Sequence, residues 1–350
     1  MSSSTYPKLS TLLPPIILGG GAYNTQMNAD PAALPIRALI RRAFDLGITA
    51  IDTSPYYGPS ELLIGDALLH SAQPRRDYLL MTKVGRIQEV DFDYSPAWIR
   101  KSVARSLQRL HTNYLDVVFC HDIEFVSRPA VLNAVRTLFE LVDEGTIRYV
   151  GISGYPPLVL AEIAVAVRKT LGRPVDVVQS YCHYNLQNGK LLTALSTLKG
   201  EAGVDVVINA SPLSMGLLSG AFPGDFHPAP RALQEACVVA HKWCLERGET
   251  LPGVAMRWAF AKWQGQGPTI SGASYVEELE ANVEAYREMS TAKEGKLGLY
   301  RDAGVDEAAV ERMEPLWDEV RGLLGEWVDW SWESPPSGHV LWKLVGESKL

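Results

Sequence analysis

ITAIDTSPYYG, residues 48–58, sets a short apolar run against an abrupt loop. Residues 48–51 are rich in β-branched side chains and read as a strand buried on both faces, as the strands of a parallel sheet are. Thr53, Ser54 and Pro55 break the run into a loop. The break leaves Asp52 at the carboxyl end of the strand and Tyr57 five residues further on. In α/β barrels the chemistry sits at such strand ends. Taken alone, the pair is also what an ordinary turn provides: an acid that caps the turn and a tyrosine that packs over the next helix. The rest of the chain decides between the two.

Working outward, the same alternation of short apolar run and amphipathic stretch recurs. Strand-like runs occupy 15–20, 48–53, 78–84, 115–121, 147–153, 175–182, 204–211 and 268–274. Helix-like stretches lie between them at 31–46, 60–69, 96–110, 129–144, 157–171, 189–199, 231–247 and 276–289. Several open on a capping serine or a first-turn proline, as at Ser95 and Pro96, and several close on glycine, as at Gly47, Gly145, Gly172 and Gly248. Eight strands alternating with eight helices, with no hairpin signal after the first strand, predict an all-parallel sheet closed into a (β/α)8 TIM barrel. An open doubly wound sheet is the alternative. It lacks its usual sign, because Gly19, Gly20 and Gly21 run into Ala22, Tyr23 and Asn24 rather than into a helix.

The expected organisation is a single barrel with a core over about 14–290, followed by a C-terminal helical, Trp-rich extension over about 291–350. A helix is expected at 306–324, and Trp317, Trp327, Trp330, Trp332 and Trp342 follow or lie within it. These rings either pack the extension onto the barrel wall or roof a substrate pocket, where aromatic faces suit sugar rings.

The 350 residues carry a net charge of −7, with 47% hydrophobic and 21% charged residues, the composition of a globular protein with a sizeable core. Basic residues are scattered, which speaks against nucleic acid or an anionic membrane as partner. Cys120, Cys182, Cys237 and Cys244 show no metal-binding or redox spacing and are expected to be reduced and buried. The opening residues lack a basic segment followed by a long apolar one, and no run reaches the ~20 apolar residues of a membrane span. A cytoplasmic protein, monomer or homodimer, is the expectation.

In a parallel barrel all strands end on one face, so residues far apart in sequence collect there. Asp52 after the second strand, Lys83 at the end of the third and His121 at the end of the fourth fall on that face, with Tyr57 above them. A lysine inside the apolar run YLLMTKV is costly to bury unless paired, and Asp52 on the neighbouring strand is the available partner. His121 alone would pass for a core histidine. Together the four make a proton-transfer device. A tyrosine, with an ordinary pKa of about 10, loses its proton more readily beside an ammonium. A neighbouring imidazole then binds the oxygen of a carbonyl, or of a hydroxyl becoming one.

GITAIDTSPYYGPSE (47–61), the lysine of MTKVG (81–85) and the histidine of CHDIEF (120–125) together resemble the aldo-keto reductase signature, in which Asp, Tyr, Lys and His form the catalytic tetrad. The likeness extends over most of 14–290. CHDIEF, QSYCHYN (179–185), INASPLSMGLLSG (208–220) and FHPAP (226–230) resemble more closely the subgroup that contains plant L-galactose dehydrogenase and fungal NAD-dependent D-arabinose dehydrogenase. The resemblance implies an extended nicotinamide dinucleotide bound without a Rossmann fold, and hydride exchange with the anomeric carbon of an aldose to give a lactone.

Position by position, it implies that Ser153 and Gln179 hold the nicotinamide carboxamide, and that Ser211, Leu213 and Gly216 line the pyrophosphate. Gly21, Ala22 and Ser274 complete the cofactor strip, with Asn282 at the adenine. Where relatives carry an asparagine after the serine this chain has Gly154, and where many stack a tyrosine on the nicotinamide it has Ala210. NADPH-preferring relatives grip the 2′-phosphate with a lysine and an arginine, and here those places hold Gly272 and Glu278. An acid there repels the phosphate and accepts from a ribose hydroxyl, so NAD is predicted over NADP. Tyr56, Trp98 and Asp122 are candidate substrate-binding residues for a small sugar. Two other readings stay open: an NAD(P)H-dependent carbonyl reductase of specialised metabolism, and a non-catalytic dinucleotide-binding subunit.

Overall fold

The computed structural model describes residues 6–346; the opening five residues and the last four of the expected extension lie outside the described residues. Eight strands, β1 (Ile16–Gly19), β2 (Ala50–Asp52), β3 (Leu79–Val84), β4 (Leu115–His121), β5 (Ile147–Gly154), β6 (Val177–Tyr181), β7 (Val206–Ala210) and β8 (Thr269–Gly272), follow in that order around a closed parallel barrel. Closure is made by β1 on β8, with Ile16 beside Thr269 and Gly19 beside Gly272. The strands are short and apolar because each is covered on both faces.

Side chains of alternate residues point into the lumen. Ile17, Ala50, Met81, Val117, Phe119, Val177, Val206 and Ile208 fill it, and Leu9, Leu13 and Tyr300 close its amino-terminal mouth. Tyr149 Oη donates to Pro7 O at 2.7 Å, which fixes the leading segment beneath the barrel. Gly151 faces inward where a Cβ would collide with the Phe119 ring. Above this apolar plug the same inward parity brings up Asp52, Lys83, His121, Ser153 and Gln179. Strand period two, together with closure, is what gathers them.

Outside run α1 (Ile36–Leu46), α2 (Ser60–Leu69), α3 (Pro96–Arg109), α4 (Arg128–Asp143), α5 (Pro157–Leu171), a short α6 (Leu192–Ser196), α7 (Arg231–Leu245), α8 (Leu251–Trp263) and α9 (Val276–Met289). Ser95 caps α3 as expected by accepting from Trp98 N at 3.3 Å. Two helix expectations need correction. The stretch expected at 189–199 holds only α6, which widens into a π-helical turn over Thr197–Glu201. The single helix expected between β7 and β8 is followed by a second, α8, whose Thr250 cap accepts from Gly253 N at 3.2 Å. Apolar residues all around it, with Pro252 and Gly253 in its first turn, hide the helical period.

The extension carries α10 (Glu307–Leu324), which packs on α7 and α8 through Val310, Met313, Trp317 and Val320. Trp317 is buried there, its indole donating to Val254 O at 3.1 Å. Beyond α10 the chain climbs to the carboxyl face of the barrel. Gln187 donates to Trp327 O at 2.6 Å and to Trp330 O at 3.0 Å, and Asn188 to Trp330 O at 2.9 Å. Asp329 Oδ1 accepts from Gly189 N at 2.7 Å. The tail then lays Trp332 on Tyr155, ring centroids 4.0 Å apart, with Trp332 N donating to Tyr155 Oη at 3.2 Å. It returns along the loop after β4, where Trp342 N donates to Phe125 O at 3.1 Å.

All four cysteines are free and buried. No helix among the described residues is long and apolar enough to cross a membrane.

Candidate active site

At the carboxyl mouth of the barrel, Lys83 Nζ donates to Asp52 Oδ2 at 2.6 Å and to Thr53 O at 3.0 Å, with both side chains almost wholly out of solvent. Burial works against the Lys83 ammonium, but Asp52 and Tyr57 more than offset it, so the lysine pKa is raised and the charge is kept. The Tyr57 ring lies above, its centroid 4.9 Å from Nζ. Lys83 favours the phenolate, as expected from the sequence. Burial is the larger influence, however, and the Tyr57 pKa is raised rather than lowered, which corrects the expected direction.

His121 stands edge-on to Tyr57, ring centroids 5.7 Å apart at 88°. Its Nδ1 is 3.2 Å from Ser54 Oγ, which also accepts from Tyr56 N at 3.1 Å and so has its own proton free to give to the ring. Nε2 lies 3.6 Å from the Asp122 carboxylate. Both contacts favour the tautomer with the proton on Nε2. Burial pulls the His121 pKa down to about 3, so the ring is a neutral donor throughout the physiological range.

Sequence reasoning missed Arg86. It follows the turn after β3, stacks over Tyr56 with its guanidinium carbon 4.0 Å from the ring centroid, and forms an ion pair with Asp122. Burial works against the Asp122 charge, yet His121 and Arg86 hold its carboxyl below the usual range. Apart from its short distance from Lys83 in sequence, nothing in the pattern marks Arg86. Glu124 was missed too. Its Oε1 accepts from Tyr155 N at 2.9 Å and from Ser334 Oγ of the tail at 3.0 Å, while Oε2 is buried without a partner among the described residues. Burial pushes its carboxyl up to about 8. Oε2 falls where a side chain on residue 154 would begin, which accounts for the glycine at that position.

The other expected site residues are distributed around this mouth. Ser153 and Gln179 are register partners on β5 and β6, and Gln179 Oε1 is buried with no partner among the described residues. Gly21 borders the Tyr57 ring, and Ala22 borders Gly272. Ser211 has a left-handed backbone, as do Ser214, Met215 and Gly216 after it, and Ser211 Oγ accepts from Met215 N at 2.8 Å. Leu213 is half-buried between the two outer cores. Ser274 N donates to Glu278 Oε2 at 2.8 Å, and Asn282 is buried rather than on an open helix face, its amide 3.1 Å from Ser271 Oγ. Trp98 is not brought to the cluster. Its ring lies along α3 against Lys101 and Arg105.

This geometry stands on a chain with known relatives. The profile of the Aldo/keto reductase family matches residues 15–297. The chain belongs to that family. It is an oxidoreductase, and members of the family use nicotinamide cofactors. It is 44% identical over 277 residues to D-arabinose 1-dehydrogenase of Saccharomyces cerevisiae, covering 78% of this chain and 82% of that one. It is 36% identical over 289 residues to L-galactose dehydrogenase of Arabidopsis thaliana, covering 82% and 85%. A solved structure of a candidate aldo-keto reductase from Pseudomonas aeruginosa superposes with a TM-score of 0.56 at 24% identity, over 80% of this chain and 94% of that one, a likeness of fold.

The mouth suits such a cofactor. Gln179 presents a buried amide oxygen, unpaired among the described residues, beside the Ser153 hydroxyl, a complement for a carboxamide. Gly21 puts no side chain against the Tyr57 ring, where a Cβ would lie 3.8 Å from Cε2. Among the described residues, no cluster of histidine, cysteine and carboxylate side chains is arranged to hold a metal ion.

Proposed function

We propose that this protein is an NAD-dependent aldose 1-dehydrogenase that oxidises the anomeric carbon of D-arabinose-, L-galactose- or L-fucose-type sugars to the lactone. The observation that carries the proposal is the Tyr57 phenol held between the buried Lys83 ammonium and the edge of a neutral His121. The names of the two relatives above direct it to aldoses.

The nicotinamide ring, when bound, supplies the hydride acceptor. Tyr57 Oη takes the proton of the C1 hydroxyl, and Lys83 stabilises the phenolate form that can do so. His121 donates from Nε2 to the same oxygen and fixes its direction. Asp52 keeps the Lys83 ammonium under the phenol through the 2.6 Å pair. Because burial raises the Tyr57 pKa, the accepting form grows as the solution becomes alkaline.

Ser153 and Gln179 are the proposed carboxamide partners, Gly21, Ala22, Ser211, Leu213, Gly216 and Ser274 the walls along the dinucleotide, and Asn282 the adenine contact. Tyr181, the register partner of Ala210 on the same lumen-facing layer, takes the place of the aromatic missing from β7. The exposed Gly272 and Glu278 favour NAD, since neither residue offers a cation to a 2′-phosphate. Tyr56, Asp122 and Trp332 of the tail are proposed for the sugar side, and Trp98 is not.

One observation favours a second reading. A tyrosine whose pKa is raised is a protonated acid at neutral pH, the form needed to reduce a carbonyl. Following absorbance at 340 nm with NAD or NADP and a panel of D-arabinose, L-galactose, L-fucose and D-glucose separates the two. NADH formed with the first three sugars supports the dehydrogenase. No reaction with any sugar, together with carbonyl-dependent NADH or NADPH oxidation, supports the reductase.

A further inference from the structure

We infer that Asp122, locked in place by Arg86, reads the C2 hydroxyl of the sugar and makes a free C2 hydroxyl a requirement for turnover. The inference rests on the aldose reading and deepens it.

Arg86 is fully engaged by the protein. One terminal nitrogen pairs with Asp122, the other donates to Glu89 O at 2.9 Å, and Nε donates to Gln88 O at 3.3 Å. Its guanidinium lies over Tyr56 and against the Phe92 and Phe125 rings. It is therefore a fixed counter-ion rather than a ligand-seeking group. Asp122 has a left-handed backbone, φ 54°, and its carboxylate lies 3.6 Å from His121 Nε2. In the proposed reaction that nitrogen donates to the reacting oxygen, which brings the carboxylate within reach of whatever is bonded to the carbon bearing it.

In a cyclic aldose that carbon has two ring neighbours. One is the ring oxygen, which has no proton and would be repelled by a carboxylate. The other is C2 with its hydroxyl, which can donate. A carboxylate kept ionised only accepts, so the one group it can bind beside the reaction centre is the C2 hydroxyl. Asp122 is in these terms a specificity-determining residue and Arg86 a positioning residue.

The test compares kcat/KM for D-arabinose with its 2-deoxy and 2-deoxy-2-fluoro analogues. Fluorine is close to a hydroxyl in size but cannot donate. A site built to bond a hydroxyl discriminates strongly against an analogue lacking it, so both analogues should fall by about 100-fold or more. In Asp122→Ala, which removes the acceptor, the loss should fall mainly on D-arabinose, so that the 2-deoxy sugar approaches it within about threefold, with NADH binding by protein fluorescence unchanged. Wild-type turnover of either analogue at the rate of D-arabinose overturns the inference while leaving the aldose reading intact, as does full discrimination retained by Asp122→Ala. Failure of wild type on every sugar overturns both.

Discussion

Lys83 Nζ and Asp52 Oδ2 form a 2.6 Å ion pair with 1% and 2% of the two side chains exposed. Removing one member of such a pair strands the other charge, at a cost of about 3–5 kcal/mol, whereas replacing both with apolar groups is often close to neutral. Lys83→Met and Asp52→Leu should each lower Tm, and the double variant should recover most of the loss. Turnover should stay absent in all three. Thermal unfolding beside a rate assay checks this; a double variant that regains activity would remove the pair from the chemistry.

The pH dependence follows from two shifts of opposite sign. His121 titrates near 3 and stays neutral above it, so no inflection is expected in the neutral range from this ring. Tyr57 is raised by burial, so sugar oxidation should climb through the alkaline range by up to about tenfold per pH unit while the phenol remains protonated. Carbonyl reduction should lack that climb. A flat oxidation profile from neutral to pH 10 with folded protein contradicts this assignment.

Glu124 makes a prediction about stability. Its folded carboxyl titrates near 8, above the 4.5 of an ordinary glutamate. A raised folded pKa gives a contribution that is fully present below the unfolded value and lost as the pH rises toward 8. Glu124→Gln keeps the shape and removes the titration. Its Tm should match wild type near the unfolded value and exceed it around pH 8, by an amount on the order of a few kcal/mol in stability. Equal Tm differences at both pH values would refute the shift.

Glu278 stands exposed in the first turn of α9, its Oε2 accepting from Ser274 N at 2.8 Å. Glu278→Arg should raise kcat/KM with NADP relative to NAD by about tenfold or more, since a guanidinium binds a phosphate where a carboxylate repels it. A small loss of stability should accompany it, because a contact at the helix start is removed. An unchanged cofactor ratio places the 2′-phosphate discrimination elsewhere.

The barrel was legible because period-two strands, glycine helix ends and a count of eight agree with one another. Asp52, Lys83 and His121 were legible for the same reason: they share the inward parity of β2, β3 and β4, and a lysine in an apolar strand demands a partner. Arg86 was not, since its meaning depends on meeting Asp122 across a loop, and Asp122 lies 36 residues away. Trp98 reads as a rim residue by position, but its ring lies along α3, a direction that sequence position does not set. The path of the tail was hidden as well. Gln187 and Asn188 fix it by hydrogen bonds to backbone carbonyls, which carry no side-chain signal in the partner segment.

In the proposed reaction hydride leaves C1 of an aldose for the nicotinamide while Tyr57 takes the hydroxyl proton. Incubating wild type and Tyr57→Phe with NAD and D-arabinose deuterated at C1, then measuring the mass of the reduced cofactor, tests it most directly. Wild type should form NADH that carries deuterium, with turnover reduced by about 10²-fold or more in the variant at unchanged Tm. Unlabelled NADH, no NADH at all, or a Tyr57→Phe variant as fast as wild type would contradict it.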